Sequence, residues 1–366
     1  METTEVATKD RAYQVVVGHD IMDSLGERCR QLQFGAQVAV ITDRSVGATY
    51  LERVVGGLRK AGYKAVPILF PGGDGAKNLV EAEKIFATMI EAEMDRSSWV
   101  VALGGGVVGD MAGFVAATFQ RGIPFVQVPT TIVAQVDASI GGKTAVNHAL
   151  GKNLIGSFHQ PHMVLADTSA LRSLPVPEMV AGMAEVVKHA IIRDADLFAF
   201  LEENLEAAVS LRLAPEAIDW LISRNVRIKV AVVSEDEREA GLRAILNYGH
   251  TVGHAIEAAT DYRQYRHGEG VILGMIAAGH IAVTHGFWSA AERQRQDALL
   301  QRLGIPGGIG QVSVQAIVER TRADKKRVAG KTRLILGREI GRVEIVDHLG
   351  EDELREGVDY LQDTYG

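Results

Sequence analysis

The chain has 366 residues, of which 47% are hydrophobic and 23% charged, with a formal net charge of −7. This is ordinary globular composition in a length that accommodates two domains. The acidic balance argues against a nucleic-acid partner, which would ask for a basic domain, and a single cysteine, Cys29, excludes an internal disulfide or a thiolate metal cage.

Residues 1–11 are polar and carry acids, unlike a targeting segment. The most apolar stretch, 271–283, is too short to span a bilayer and contains His280. These features predict a cytoplasmic protein with no membrane partner.

In chain order, short runs rich in β-branched residues at 13–17, 38–42, 65–70, 99–103 and 125–128 predict strands, with a further one at 163–166. Amphipathic stretches at 46–61 and 76–93 predict helices between them. That alternation implies a mostly parallel sheet with covering helices. The texture changes near Leu174-Pro-Val-Pro177. Helical periodicity then dominates, at 178–192, 195–208, 215–233, 251–259 and 268–285. Short β-like runs at 333–336 and 343–346 precede a last helix at 351–362. The expected organisation is an α/β domain over 1–177 and a mainly helical domain over 178–366.

The strand at 99–103 runs into Gly104-Gly-Gly106-Val-Val-Gly109-Asp110. Glycines here allow backbone N–H groups to approach a pyrophosphate at a helix N-terminus. The spacing departs from the usual dinucleotide fingerprint, because no acid closes the next strand, which ends in Val128-Pro-Thr130-Thr131. Asp43, at the end of an earlier strand, is the better ribose partner. A second flexible loop, Pro71-Gly-Gly-Asp-Gly75, has Lys77 close behind. Both loops also suit tight turns between strand and helix. Arg121, Lys143 and Lys152 stand among small residues, in Asp137-Ala-Ser-Ile-Gly-Gly-Lys143-Thr and Gly151-Lys152-Asn153, which suits an anionic ligand.

Further on, Asn247-Tyr-Gly-His250-Thr-Val-Gly-His254 is followed by His267-Gly-Glu269. His250 and His254 are four apart and share one face of a helix, so by spacing they could chelate a metal as a pair.

Taken together, GGGVVGDMAGFVAATFQRGI, VPTTIVAQVDASIGGKTAVN, GKNLIGSFHQP, EVVKHAII, LNYGHTVGHAIE, HGEGVILGM and ADKKRVAGKTRLILG occur in the order found in the 3-dehydroquinate synthase family. The chain resembles that family from about Tyr13 to its C-terminus. More distant likenesses are the other sugar-phosphate cyclases and the glycerol-dehydrogenase-like metal alcohol dehydrogenases. The resemblance implies a Rossmann-like NAD-binding domain, a C-terminal helical metal and substrate domain, an active site between them, and a homodimer. It implies a phosphate-eliminating carbon–oxygen lyase of the shikimate pathway, which turns 3-deoxy-D-arabino-heptulosonate 7-phosphate into 3-dehydroquinate and phosphate. NAD and one divalent ion, Zn²⁺ or Co²⁺, would be its cofactors.

Carried over motif by motif, the resemblance assigns the metal to Glu185, His250 and His267, and moves His254 to the substrate. Lys143, Lys188, Lys229, Arg243, Asn247 and His254 would act on the sugar phosphate. Asp137, Lys152, Asn153 and Lys326 would help bind it, Lys326 being favoured over Lys325, and Arg121 would reach in from the partner subunit. NAD would meet Asp43, the loop Gly72, Gly73, Asp74, Gly75, Ala76 and Lys77, the turn Gly105, Gly106, Val107, Val108, Gly109 and Asp110, the pair Thr130 and Thr131, and the stretch Ala170, Leu171, Arg172 and Ser173. Lys143 and Lys152 would touch it as well. Three positions depart from the family pattern: Ser45 for Asn, Asp74 for Glu, and His159 for an aromatic residue.

The chemistry implied needs this inventory. The substrate is a polyhydroxylated polyanion, so several cations must hold it. Oxidation at one carbon acidifies the neighbouring C–H, phosphate leaves, the same carbon is re-reduced, the ring opens and an internal aldol step closes it. The substrate's own phosphate can serve as the base. Two rivals are another NAD- and metal-dependent cyclase and a non-catalytic nucleotide-binding regulator. A regulator would have lost Glu185, His250, His267 or the lysines, and none is missing.

Overall fold

The computed structural model describes residues 1–9, 11–239, 241–325 and 333–366, with only the backbone course at 322–325. The chain divides into two compact units, Met1–Leu174 with Ala214–Arg238, and Pro175–Leu213 with Glu239–Gly366. The segment 214–238 groups with the first unit.

Within the first unit the strands are β1 (Glu2–Ala7), β2 (Ala12–Gly18), β3 (Gln37–Asp43), β4 (Lys64–Phe70), β5 (Trp99–Gly104), β6 (Phe125–Pro129), β7 (Lys143–His148), β8 (Gly151–Phe158) and β9 (Met163–Asp167). Among the described residues seven of them form one sheet in the order β1-β2-β9-β6-β5-β3-β4. The pairs are parallel except β1–β2. Strands β5, β6 and β9 are buried along their whole length, which is why they read as unbroken apolar runs. The edge strands β1 and β4 alternate between exposed and covered positions instead.

Helices α1 (Leu25–Gln31), α2 (Arg44–Lys60), α3 (Leu79–Glu91) and α4 (Gly106–Thr118) follow successive strands. Val38 and Val40 of β3 join Trp99, Val101 and Leu103 of β5 in one core with Leu25 and Val54. Ala39 and Ile41 face the other way, with Val100, Ala102, Ile85 and Met111. Two-residue alternation thus feeds two helical layers, one on each face of the sheet. Truncating Leu103 to alanine would cost about 2–5 kcal/mol, the usual range for a fully buried leucine.

The second unit contains α5 (Val176–Arg193) and α6 (Ala195–Val209). Helix α7 (Pro215–Glu235) belongs to the first unit, packed on β1 and β2. The second unit continues with α8 (His250–Ala259), α9 (His267–Thr284), α10 (Ala290–Leu303), α11 (Val314–Lys325), the hairpin β10 (Leu334–Glu339) and β11 (Arg342–Val346), and α12 (Glu351–Tyr365). Helix α9 is apolar nearly all round because α5, α8, α10, α12 and β10 surround it. Its contact with α8 is backbone to backbone. A Cβ on Gly274 would stand 1.8 Å from the Gly249 carbonyl oxygen, and one on Gly253 2.7 Å from that of Gly270. No helix among the described residues is long and apolar enough to cross a membrane.

The fold class is the expected one, an α/β domain and a helical domain. The sequence reading lacked β1, α1, the pair β7–β8, α10 and α11 as elements. The helix expected over 76–93 starts later, at Leu79, after a 3₁₀ turn at Asp74–Ala76.

Candidate active site

In the second unit, His250 opens α8 and His267 opens α9, so the close α8–α9 packing carries the two imidazoles together. Their ring centroids are 5.2 Å apart. Glu185 and Lys188 lie one turn apart on α5, each side chain 1% exposed, and Lys188 donates to Oε2 of Glu185. The other oxygen, Oε1, is buried without a hydrogen-bond partner. It stands 3.5 Å from Nε2 of His250 and 3.5 Å from Nε2 of His267.

These separations fit an ion. Bonds of about 2.0–2.2 Å at tetrahedral angles place neighbouring donor atoms about 3.3–3.5 Å apart. The outer ring nitrogens are already engaged: Nδ1 of His250 with the Tyr248 carbonyl at 3.1 Å, and Nδ1 of His267 with Glu257 at 3.0 Å. Each N–H on the far side fixes the tautomer that leaves Nε2 with a lone pair. A set of two imidazoles and one carboxylate leaves coordination positions for substrate oxygen, as a catalytic site requires.

At Glu185 and His250 the electrostatics agree with this donor set. Burial alone would raise the Glu185 carboxyl, but the Lys188 ammonium, with the two imidazoles, holds it well below the usual carboxylate range. Burial, reinforced by Lys188, pushes the His250 imidazolium well down, so the ring stays neutral. Burial opposes charge on the His267 imidazole most strongly of any single influence, but the Glu185 and Glu257 carboxylates together outweigh it and push the imidazolium up to about 10, so an ion bound at Nε2 must displace a proton there.

His254 is also close, its ring 5.1 Å from that of His250 and 5.6 Å from that of His267. One ring nitrogen from each of the three histidines lies within 4.8 Å of the others. Distance therefore gathers all three, and the separation of His254 into a substrate role is a chemical assignment. Glu257 escaped the sequence reading. Its signal was the stripe 250, 254, 257 on one face of α8. Of the other expected residues in this unit, Arg243 is buried in the turn Leu242–Asn247, and Asn247 donates to Glu239 at 2.9 Å. Lys326 lies outside the described residues.

In the first unit the expected NAD contacts other than Lys143 and Lys152, which lie on the antiparallel pair β7–β8, follow carboxyl ends of parallel strands, on one edge of the sheet. Asp43 ends β3 and caps α2, accepting from the Val46 N–H. The Gly72 to Lys77 loop follows β4, Gly105 to Asp110 follow β5, and Thr130 and Thr131 follow β6. Ala170 to Ser173 lie in the turn Thr168–Ser173 after β9. Connections leave β3 toward β4 and β5 toward β6, so the strand order reverses between β3 and β5. That is where open α/β sheets bind ligands. Two glycines make the close approaches there. Gly72 has φ +79, and a Cβ on it would meet Asp43 Cβ at 2.6 Å. A Cβ on Gly105 would meet Thr131 Cγ2 at 2.9 Å. Gly105 gives α4 no side-chain cap, which leaves its first N–H groups for an anion. This cradle fits a dinucleotide pyrophosphate.

The expected substrate residues of the first unit sit on three elements. Asp137 lies in the turn Ala134–Ala138 and pairs with Lys229 of α7, which is 6% exposed. Lys143 opens β7 and is exposed. Lys152 and Asn153 open β8, Lys152 bonding Asp74 at 2.5 Å. Arg121 is exposed in a turn where Gln120 and Arg121 have φ 51 and 72. His159, a departure from the family pattern, stacks on Phe125 with centroids 5.2 Å apart and bonds the Ile123 carbonyl at 2.9 Å. It keeps the flat packing that an aromatic residue would supply. Ser45 lies in the first turn of α2, and Asp74 bonds Asn147 and Lys152.

Solved structures with this fold define the class. A 2-deoxy-scyllo-inosose synthase complexed with carbaglucose-6-phosphate, NAD⁺ and Co²⁺ superposes with a TM-score of 0.88 at 27% identity, over 98% of this chain and 99% of the other. A 2-epi-5-epi-valiolone synthase from Streptomyces hygroscopicus, with NAD⁺ and Zn²⁺ bound, gives 0.89 at 26% identity over 98% of each. The fold is that of the sugar-phosphate cyclases.

Sequence narrows it further. The 3-dehydroquinate synthase N-terminal model matches residues 67–181 and the C-terminal model residues 182–327. The 3-dehydroquinate synthase of Picosynechococcus sp. is 47% identical over 96% of both chains, and that of Nostoc punctiforme 45% identical over 95% of this chain and 96% of its own. The chain belongs to the 3-dehydroquinate synthase family.

Proposed function

We propose that this chain converts 3-deoxy-D-arabino-heptulosonate 7-phosphate into 3-dehydroquinate and phosphate, using NAD and one divalent ion, Zn²⁺ or Co²⁺. The observation that carries the reading is Oε1 of Glu185, buried without a donor and equidistant from the Nε2 atoms of two oriented imidazoles. When bound, NAD takes and returns a hydride at one carbinol carbon, and the ion polarises the oxygen on that carbon.

The chain's own residues bind and orient. Glu185, His250 and His267 hold the ion. Lys188 keeps Glu185 ionised at neutral pH. Asp43, the glycine turns and the α4 N-terminus hold the dinucleotide. Lys143, Lys152, Asn153, Lys229 and Arg243 supply charge and donors for the carboxylate and phosphate. Asp137, Asn247 and His254 offer polar groups to the hydroxyls. Phosphate loss is then favoured by positioning and by cations near the leaving group.

The 47% identity to a dehydroquinate synthase, against 26–27% to cyclases that make other rings, favours this substrate. Lys152, Arg243 and Asn247, positions that a cyclase forming another ring would alter, are all present.

A homodimer, with Arg121 entering the partner's site, is part of the reading. It is supported by the exposed Arg121 turn with two consecutive left-handed residues. A cytoplasmic setting is supported by the lone Cys29, buried and reduced. The test is phosphate release from the heptulosonate phosphate by metal-stripped protein. Activity should vanish on chelation and return with Zn²⁺ or Co²⁺. Full activity without metal would refute the reading.

A further inference from the structure

Strands β7 and β8 lose register at one place. Val146 pairs with Ile155, but His148 pairs with Gly151. One residue, Asn147, therefore stands opposite three: Lys152, Asn153 and Leu154. A bulge re-aims the side chains it carries. Here it carries both residues that the proposed function gives to the sugar phosphate from this strand.

Asn147 holds the bulge and a second loop at once. Its Oδ1 accepts from the Asn153 N–H at 3.0 Å, where Asn153 has φ 57, a conformation that needs support. Its Nδ2 donates to the Asp74 carbonyl at 3.0 Å and to Asp74 Oδ1 at 3.1 Å. Its own N–H donates to the Lys77 carbonyl at 2.7 Å. Asp74 and Lys77 lie on the loop proposed to meet NAD. Two further bonds close the lattice: Lys152 Nζ to Asp74 Oδ2 at 2.5 Å, and Lys77 Nζ to Asn153 Oδ1 at 2.6 Å. Lys77 is 5% exposed and also bonds Asp110 at 2.8 Å. The two loops are thus tied to each other around Asn147: displacing one strains bonds that hold the other.

We propose that Asn147 is a positioning residue that couples the dinucleotide loop to the bulge carrying Lys152 and Asn153. NAD and the sugar phosphate then bind with positive cooperativity through this side chain. The inference rests on the proposed assignment of those two segments.

Two substitutions separate the contacts. Asn147→Ala removes both side-chain links. Asn147→Asp keeps an acceptor for Asn153 but replaces the donor to Asp74 with a second carboxylate. The first measurement is NAD⁺ affinity of the zinc-loaded protein, by calorimetry, with and without 3-dehydroquinate. In the unsubstituted chain the product tightens NAD⁺. In both variants the NAD⁺ Kd rises about tenfold, the scale of one or two lost hydrogen bonds, and the tightening falls below twofold. Unchanged affinity and unchanged tightening in both variants overturn the proposal.

The second measurement is amide hydrogen exchange without ligands, on protein whose thermal transition stays cooperative. Asn147→Ala speeds exchange at both 74–77 and 152–155. Asn147→Asp speeds it at 74–77 and leaves 153 protected. Any other pattern overturns the coupling. If the unsubstituted chain binds no NAD⁺, the proposed function fails, and the exchange pattern alone still decides whether Asn147 joins the two segments.

Discussion

His267 Nδ1 stands 3.0 Å from Oε1 of Glu257, so the opposite ring nitrogen is the one turned to Glu185. A carboxylate behind a ligating histidine fixes both its tautomer and its rotation. Removing it with Glu257→Ala is expected to weaken Zn²⁺ binding about 10–100-fold, the usual effect of losing such a partner. Glu257→Gln should lose less, because its amide oxygen still accepts from Nδ1–H. Equal zinc affinity in the alanine variant and the native chain, measured by competition with a chromogenic chelator, would remove Glu257 from this role.

The three histidines can be told apart by what they retain. His250→Ala and His267→Ala should abolish stoichiometric zinc, since each deletes one ligand of three. His254→Ala should keep zinc bound while turnover falls. Metal content by atomic emission, taken beside the rate of phosphate release, checks both halves. Equal zinc loss in all three variants would make His254 a ligand, which the ring distances of 5.1 and 5.6 Å would accommodate.

Gly105 is where backbone closeness should matter most for the dinucleotide. Gly105→Ala places a Cβ 2.9 Å from Thr131 Cγ2, so Thr131 must move. Overpacking of this kind costs about 1–3 kcal/mol, and at the lower end corresponds to about a fivefold weaker NAD⁺ affinity if borne in the bound state. Zinc affinity should not change. Calorimetric titration with each ligand checks the separation.

Acid should destabilise the first unit through His162. Burial, then the neighbouring Arg11 and His159, pushes its imidazolium down to about 3, and Arg11 bonds its Nε2. Unfolded, the same ring titrates near 6.5. Between those values the unfolded chain binds a proton that the folded chain refuses. The contribution to stability is therefore complete above about pH 6.5 and is lost as pH falls toward 3. His162→Gln keeps an acceptor for Arg11 but cannot take up the proton. Thermal midpoints should drop less for this variant than for the native chain between pH 7 and pH 5. Parallel drops would place the acid sensitivity elsewhere.

Much of the α/β unit was legible in the sequence, because strands buried on both faces, such as β5 and β6, leave unbroken apolar runs. Strands β7 and β8 were not. Their two-residue alternation is interrupted at Asn147 and at Gly151-Lys152-Asn153, and those residue types read as loop. The exposed N-terminal strand β1 gave no apolar signal either. Helix α7 read as one of the helical domain, yet its apolar face lies on β1 and β2, a choice of neighbour that periodicity cannot express.

At the site, spacing showed His250 and His254 on one helical face, and the structure keeps them close. It could not show Glu185 as their neighbour, because sequence distance carries no information about helices that pack side by side. Family motifs pointed to Glu185, whose Oε1 stands 3.5 Å from Nε2 of both His250 and His267. Glu257 and Asn147 close two of the family runs, LNYGHTVGHAIE and VPTTIVAQVDASIGGKTAVN, but each touches other side chains, a partnership that a run of letters does not display.

The central claim is a reaction in which NAD is used and restored within one turnover. It is tested most directly by giving the zinc-loaded protein the heptulosonate phosphate in large excess over NAD⁺, and following phosphate, 3-dehydroquinate and absorbance at the NADH band together. Phosphate and dehydroquinate should rise one to one, far beyond the NAD⁺ supplied, with no accumulating NADH. NADH rising in step with substrate loss, or phosphate released without dehydroquinate, would contradict it.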